Sequence, residues 1–507
     1  MTELSRREFL KLTGAFSASA SLSPLLPSAA GGSRKKVLIL LFDTMSARHL
    51  SLYGYPRETS PNMSRFADRA TVYHSHYAAA NFTSPSTATL MLGMYPWQHR
   101  AYNVRGLVRR DLVQQNLFAL VGRDSYRLSF AQTEFANILM QQFLTSMEKN
   151  LPPTSFSING SRHFMEHFLH EKALTPFLFE EFATHLIPDP PGTLLGGYLF
   201  TAYELRKGQN FRYGFEDYPR GLPIIPPSDI AFKFEDLFAG LYEEIRDAYS
   251  KALPHFSYYH LYAPHEPSKP HKDFLKLFRD DYKPVEKPDH PLGEGFKYHD
   301  LVGKQQMYDR YIANVDHEFG LLIDKLEKEG LLDDTYVIVT SDHGQLFERS
   351  FYGHGGPLLY DANIHIPLMI RAPGQTTRTD VHTQTNNVDI LPTLVSLLGG
   401  QFPKNVDGRL LPGFGGVDDL SRAFYSMVLH RISAFGPMRE GTFAIQQGSY
   451  KLIFYKGYQK YPNVFEFYDI QADPDELNDL MSKTPAAAKH MKEQLLDALQ
   501  VADKGYD

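Results

Sequence analysis

The chain has 507 residues, 43% of them apolar, and a formal net charge of −6. That length supplies a sizeable core, while the mildly acidic balance gives no basic footprint for nucleic acid and no charge-based hold on a membrane surface. There is no cysteine, which excludes disulfides, thiolate metal sites and cysteine nucleophiles and leaves oxygen and imidazole as the only metal ligands.

The first predicted element is a leader. "SRREFLK" (Ser5 to Lys11) precedes a weakly apolar run that ends in small residues at Ala30. Paired arginines, a short apolar stretch and a small-residue end match a twin-arginine export signal over residues 1–30. The reading implies the twin-arginine machinery as a partner and the bacterial periplasm or exterior as destination. Ser and Gly interrupt the run too often for a good membrane span, so no integral membrane segment is expected after signal removal.

"KKVLILLFD" (Lys35 to Asp43) is apolar without alternation, as in a parallel strand buried on both faces. In "TVYHSHYAAA", His74 and His76 share a strand face at a spacing a metal pair could use, but an ordinary strand is the preferred reading. "NFTSPSTATLMLG" (Asn81 to Gly93) reads as a helix opening at Pro85, with Ser84 pushed extended and serving as N-cap. The helix amides and dipole would then form an anion site facing Thr83. Taken alone, the segment reads equally well as a plain capping pair.

Residues from about 150 to 250 are rich in Pro, Gly and aromatics and read as an insertion with short helices at "SRHFMEHFLHEKAL" and "FEDLFAGLYEEIRDAY". Scaffold elaboration and substrate lid are equally open. "YYHLYAPHEPSKPH" reads as a Pro-punctuated loop carrying His260, His265 and His271. A helix follows, with Met307, Tyr311, Val315, Phe319, Leu322, Ile323 and Leu326 near one face and Gly330 as its stop. "TYVIVTSDHG" repeats the buried-strand pattern and ends in Asp342 and His343, and "YGHGG" sets His354 between glycines. Strand-like and helical pieces then predict a small α+β unit over 410–507, behind a catalytic unit over 34–405. The fold class is α/β: a doubly wound, mostly parallel sheet with helices on both faces.

Carboxylates at the C-terminal ends of parallel strands gather in one crevice, so Asp43, Asp342 and His343 suit a divalent cation such as Mn²⁺ or Zn²⁺. Imidazoles beside an anion site neutralise developing charge or protonate a leaving group, a role open to His260, His265, His271 and His354 alike.

The order "VLILLFDTMSARHLSLYGY", "FTSPSTATLMLG", "YAPHEP", "VIVTSDHG" and "GHGGPLLYDANIHIPLMIRAPG" resembles the sulfatase family of the alkaline phosphatase superfamily over about residues 35–482. The resemblance implies an ester hydrolase with one divalent metal ion (Mn, Zn or Ca) held by Asp43, Thr83, Asp342 and His343. It also implies that His265 and His354 contact the transferred group, and that Thr83 stands where the nucleophile does. Its substrate would be a small-molecule or glycan- or lipid-linked ester. Two departures stand out. Thr83 replaces the Cys or Ser that such enzymes oxidise to formylglycine, with Thr87 in place of a following arginine, and Thr44 replaces a common second aspartate. A secondary alcohol cannot become that aldehyde. The expected chemistry is therefore phosphate-ester hydrolysis, of mono- or diesters, through a covalent threonine intermediate. Sulfate-ester hydrolysis without formylglycine and phosphoryl transfer are the alternatives.

Overall fold

The structure is a computed structural model that describes residues 35–122, 124–158, 215–226, 230–251, 254–429, 434–483 and 485–506. The leader and the helix expected at 161–174 lie outside the described residues.

An eight-stranded sheet forms the centre. In chain order its strands are β1 (Lys36–Phe42), β2 (Thr71–Tyr73), β3 (Tyr126–Ala131), β4 (Lys149–Leu151), β5 (His255–Leu261), β6 (Thr335–Ser341), β7 (Leu368–Arg371) and β8 (Thr379–Val381). In space they run β8-β2-β7-β6-β1-β5-β3-β4, and β7 alone is antiparallel to its neighbours. The expected doubly wound, mostly parallel sheet is present.

Strand β1 shows why its apolar run lacks alternation. Leu38, Leu40 and Phe42 pack with Leu237, Tyr311 and Phe319 on one face. Val37, Ile39 and Leu41 point the other way, toward Leu90, Met91, Leu139 and Leu391. Both faces are covered, so every position from Val37 to Phe42 is apolar, and each buried aliphatic side chain contributes roughly 1.5–3 kcal/mol. The helices on the first face are α2 (Phe234–Tyr249) and α3 (Tyr298–Lys328); α1 (Thr83–Leu92) lies on the second. Helix α3 starts earlier than its apolar stripe indicated, and it ends before Gly330, whose φ of 68° supplies the left-handed stop.

A four-stranded antiparallel sheet follows: β9 (Phe424–Leu429), β10 (Gly441–Gln447), β11 (Tyr450–Lys456) and β12 (Val464–Asp469). One face carries α4 (Ala486–Asp503) through Met491, Leu495 and Leu499. The other packs Ile453 and Tyr455 on Leu346, Phe351 and Leu358, which follow Asp342 and His343 in the chain. Lys451, wholly buried, spans this junction by pairing with Asp361 at 2.8 Å and with Glu476.

Candidate active site

Three adjacent strands deliver the site. Strands β6, β1 and β5 lie side by side, and Leu41 is in register with His260 while Phe42 is in register with Ser341. Asp342, Asp43 and His260 thus converge at one edge, and ligand atoms of all three lie within 4.8 Å of one another. His343 completes the group, its Nε2 3.6 Å from Asp43 Oδ1 and 3.4 Å from Asp342 Oδ2. His260 Nε2 lies 3.5 Å from Asp43 Oδ2.

Asp342, His343 and His260 are oriented from behind. The N–H groups of Thr44 and His343 both donate to Asp342 Oδ1, at 3.2 and 2.9 Å, which turns Oδ2 toward Asp43. His343 Nδ1 faces the Gly344 carbonyl at 3.0 Å, and His260 Nδ1 faces the Tyr258 hydroxyl at 2.9 Å. Both rings therefore offer Nε2 to the cluster. Thr44, with φ of 64°, makes the sharp exit from β1, a conformation costing a β-branched residue about 1–2 kcal/mol.

The four side chains are buried, yet Asp43 Oδ1 and Oδ2, Asp342 Oδ2 and His260 Nε2 have no hydrogen-bond partner among the described residues. Orphaned buried polar atoms cost roughly 1–3 kcal/mol each, more when charged. Burial, then the adjacent Asp342 carboxylate, pushes the Asp43 carboxyl well above its ordinary range, and burial raises Asp342 too. Burial lowers His343 to about 3 and His260 to about 4. Acids held in a dry pocket with neutral imidazoles fit a divalent cation, which would satisfy all the orphaned atoms together.

Thr83 opens α1, nearly buried, with Oγ1 3.5 Å from His343 Nε2. The helix begins two residues before Pro85, with Phe82 as N-cap, which corrects the expectation that Ser84 caps it. Proline is tolerated there because the first turn has no intrahelical use for its N–H. Ser84 instead donates its hydroxyl to the Phe135 carbonyl. Asn81 ties this segment to the late loop: Gly355 N–H donates to the Asn81 carbonyl at 2.8 Å, and Asn81 Nδ2 donates to Gly356 O at 2.9 Å.

That loop carries His354, whose ring centroid is 4.6 Å from those of both His343 and His265. His265 Nδ1 donates to the Glu266 carbonyl at 2.7 Å, and its ring stacks on Tyr262. Burial would lower His265, but the carboxylates of Glu266 and Asp43 outweigh it and hold the imidazole above its usual value. Burial drives His354 well below its usual value. Among the expected residues, Asp43, Asp342, His343 and Thr83 meet in one cluster, with His265 and His354 beside it.

His260, expected in a loop and not among the expected metal ligands, belongs to buried strand β5, one position before the strand's end. The signal was its place as the second histidine of the aromatic-rich "HFSYYHL". His271 lies elsewhere, capping a short helix beside Asp273. His74 and His76 do not pair: one meets Asp380, the other Thr385.

The family model for sulfatases matches residues 35–187 and 196–400. The chain belongs to the sulfatase family. A model of the N-sulphoglucosamine sulphohydrolase C-terminal region matches residues 351–502 of this sulfatase-family chain. Arylsulfatase K of Bos taurus is 29% identical over 39% of the chain, and the match spans only 37% of that relative's length. The multifunctional alkaline phosphatase superfamily protein PehA of Trinickia caryophylli is 25% identical over 75% of the chain and 77% of its own. Among solved structures, the phosphonate monoester hydrolase of Agrobacterium radiobacter shares the fold at a TM-score of 0.67 and 20% identity, covering 92% of this chain and 96% of that one.

Proposed function

We propose that this sulfatase-family enzyme hydrolyses phosphate esters through a covalent phosphothreonine at Thr83. One observation carries the reading: the hydroxyl beside the His343, Asp43 and Asp342 cluster belongs to a threonine, which cannot be oxidised to formylglycine. A formylglycine hydrate expels sulfate by collapsing to its aldehyde. Threonine lacks that exit, so its intermediate must be cleaved by attack on the transferred group itself.

In the first step Thr83 gives up its proton, Oγ1 bonds to phosphorus, and the bond to the departing alcohol oxygen breaks. His265 and His354 flank the group: the neutral His354 takes the proton Thr83 gives up, and His265, held above its usual value, supplies the proton the departing oxygen takes up. Water then attacks the phosphothreonine, the Oγ1–phosphorus bond breaks, and Thr83 regains its hydrogen. Asp43, His260, Asp342 and His343, with Thr83, would hold one divalent cation of the Mn, Zn or Ca type, which when bound supplies fixed positive charge opposite the ester oxygens. Export through the twin-arginine route to the periplasm or exterior belongs to the same reading, on the strength of "SRREFLK" and the small-residue end at Ala30. Among the described residues no helix is long and apolar enough to cross a membrane.

The test is a panel of aryl phosphate monoesters, diesters, phosphonates and sulfates, assayed with the wild type and with Thr83→Ala. Turnover of a phosphate ester that Thr83→Ala abolishes supports the reading. An aryl sulfate turned over faster than any phosphate replaces it.

A further inference from the structure

Gln345 is buried two residues past His343, and its side chain runs between Glu266 and His354. Its Nε2 donates to Glu266 Oε2 at 2.6 Å, and its Oε1 faces His354 Nδ1 at 2.8 Å. Valence fixes the direction of this chain. An ionised carboxylate only accepts, so the amide must turn its NH₂ to Glu266 and its carbonyl to His354; a carbonyl only accepts, so His354 Nδ1 must carry the hydrogen. The backbone leaves the amide little room: Gln345 N–H donates to Ala362 O at 3.1 Å, and the preceding Gly344 N–H donates to Asn363 O at 2.8 Å.

We propose that Gln345 is a positioning residue that selects the tautomer and ring direction of His354, leaving Nε2 as the nitrogen open to the ester. This deepens the reading above, since it rests on His354 meeting the transferred group. Three more histidines follow one pattern: Nδ1 of His343, His265 and His260 is engaged by Gly344 O, Glu266 O and the Tyr258 hydroxyl. At His354, unlike His343 and His265, the tether is a side-chain amide rather than a backbone carbonyl, so it can be exchanged without rebuilding the loop.

The experiment compares wild type, Gln345→Met and the exchanged pair Glu266→Gln with Gln345→Glu. All are metal-loaded and assayed on whichever ester the wild type turns over fastest, so a wrong substrate class is not mistaken for a silent Gln345. In the exchanged pair the new amide donates to the new carboxylate, which still accepts from His354 Nδ1. Gln345→Met is expected to lose roughly 10–100-fold in kcat with KM within about threefold, and the exchanged pair to recover at least tenfold of that. A folded, metal-replete Gln345→Met that keeps kcat within about threefold overturns the proposal. So does an exchanged pair no better than Gln345→Met. Should Gln345→Met fail to fold, nitrogen NMR of ring-labelled wild type with a diamagnetic cation decides: hydrogen on His354 Nδ1 is expected, and hydrogen on Nε2 alone overturns it.

Discussion

Thr83 Oγ1 lies 3.5 Å from His343 Nε2, although 260 residues separate the two in the chain. The contact exists because Ser86 of α1 donates its hydroxyl to the Asp342 carbonyl, while Asn387 Nδ2 donates to Ser86 Oγ at 2.9 Å. The helix that begins with Thr83 is thus bolted to the strand end that presents Asp342 and His343.

Asp43→Asn should move stability in opposite directions with and without metal. In chelator-treated protein the substitution removes a carboxyl whose ionised form burial and Asp342 both disfavour, and the thermal midpoint should rise, by the equivalent of about 1–3 kcal/mol. In saturating Mn²⁺ or Zn²⁺ the variant should gain far less than the wild type does from the cation. Paired melting curves check this; a variant destabilised equally under both conditions contradicts it.

His260→Ala should weaken cation binding by roughly 10–100-fold, measured by calorimetric titration of the metal-free protein. Tyr258→Phe removes only the hydroxyl 2.9 Å from His260 Nδ1 and should cost less. Affinity unchanged in His260→Ala would remove this residue from the ligand set.

Acid should unfold the protein partly through His76 and His99, both wholly buried and held by that burial at about 3. His99 Nδ1 accepts from Ala101 N–H at 3.1 Å and Nε2 faces Thr89 Oγ1 at 3.1 Å, so the neutral ring is the one the fold satisfies. The folded value lies below the unfolded one near 6.5, so the unfolded chain binds more protons between the two. The contribution is complete above about pH 6.5 and is lost as pH falls toward 3, by about 1.4 kcal/mol per pH unit for each ring. Urea unfolding of wild type and His99→Gln at pH 7, 6 and 5 should show a shallower pH slope in the variant; equal slopes contradict the assignment.

Much of this was legible in the sequence where chemistry and strand ends coincide. Asp43 follows an unbroken apolar run, Asp342 and His343 follow the apolar stretch Tyr336–Val339 with Thr340 and Ser341 between, and such stretches have little choice but a strand covered on both faces. His260 escaped because proline and histidine crowd the residues after it, and a strand that closes into such a segment looks like loop. The start of α1 is not fixed by the sequence because a proline marks a first turn without saying which position in it; the folded helix opens at Thr83, with Ser84 inside and its hydroxyl donated to Phe135 O. The Gln345 relay was beyond reach, since an amide between two partners 79 residues before it and 9 after it leaves no periodic trace.

The most direct measurement is rapid acid quenching during turnover of an activated aryl phosphate, followed by peptide mass analysis. A gain of about 80 Da on the peptide containing Thr83, appearing and decaying with turnover and absent in Thr83→Ala, is the expected result. Steady turnover that labels no residue, or that labels Ser84 or Ser86 instead, would contradict a threonine nucleophile.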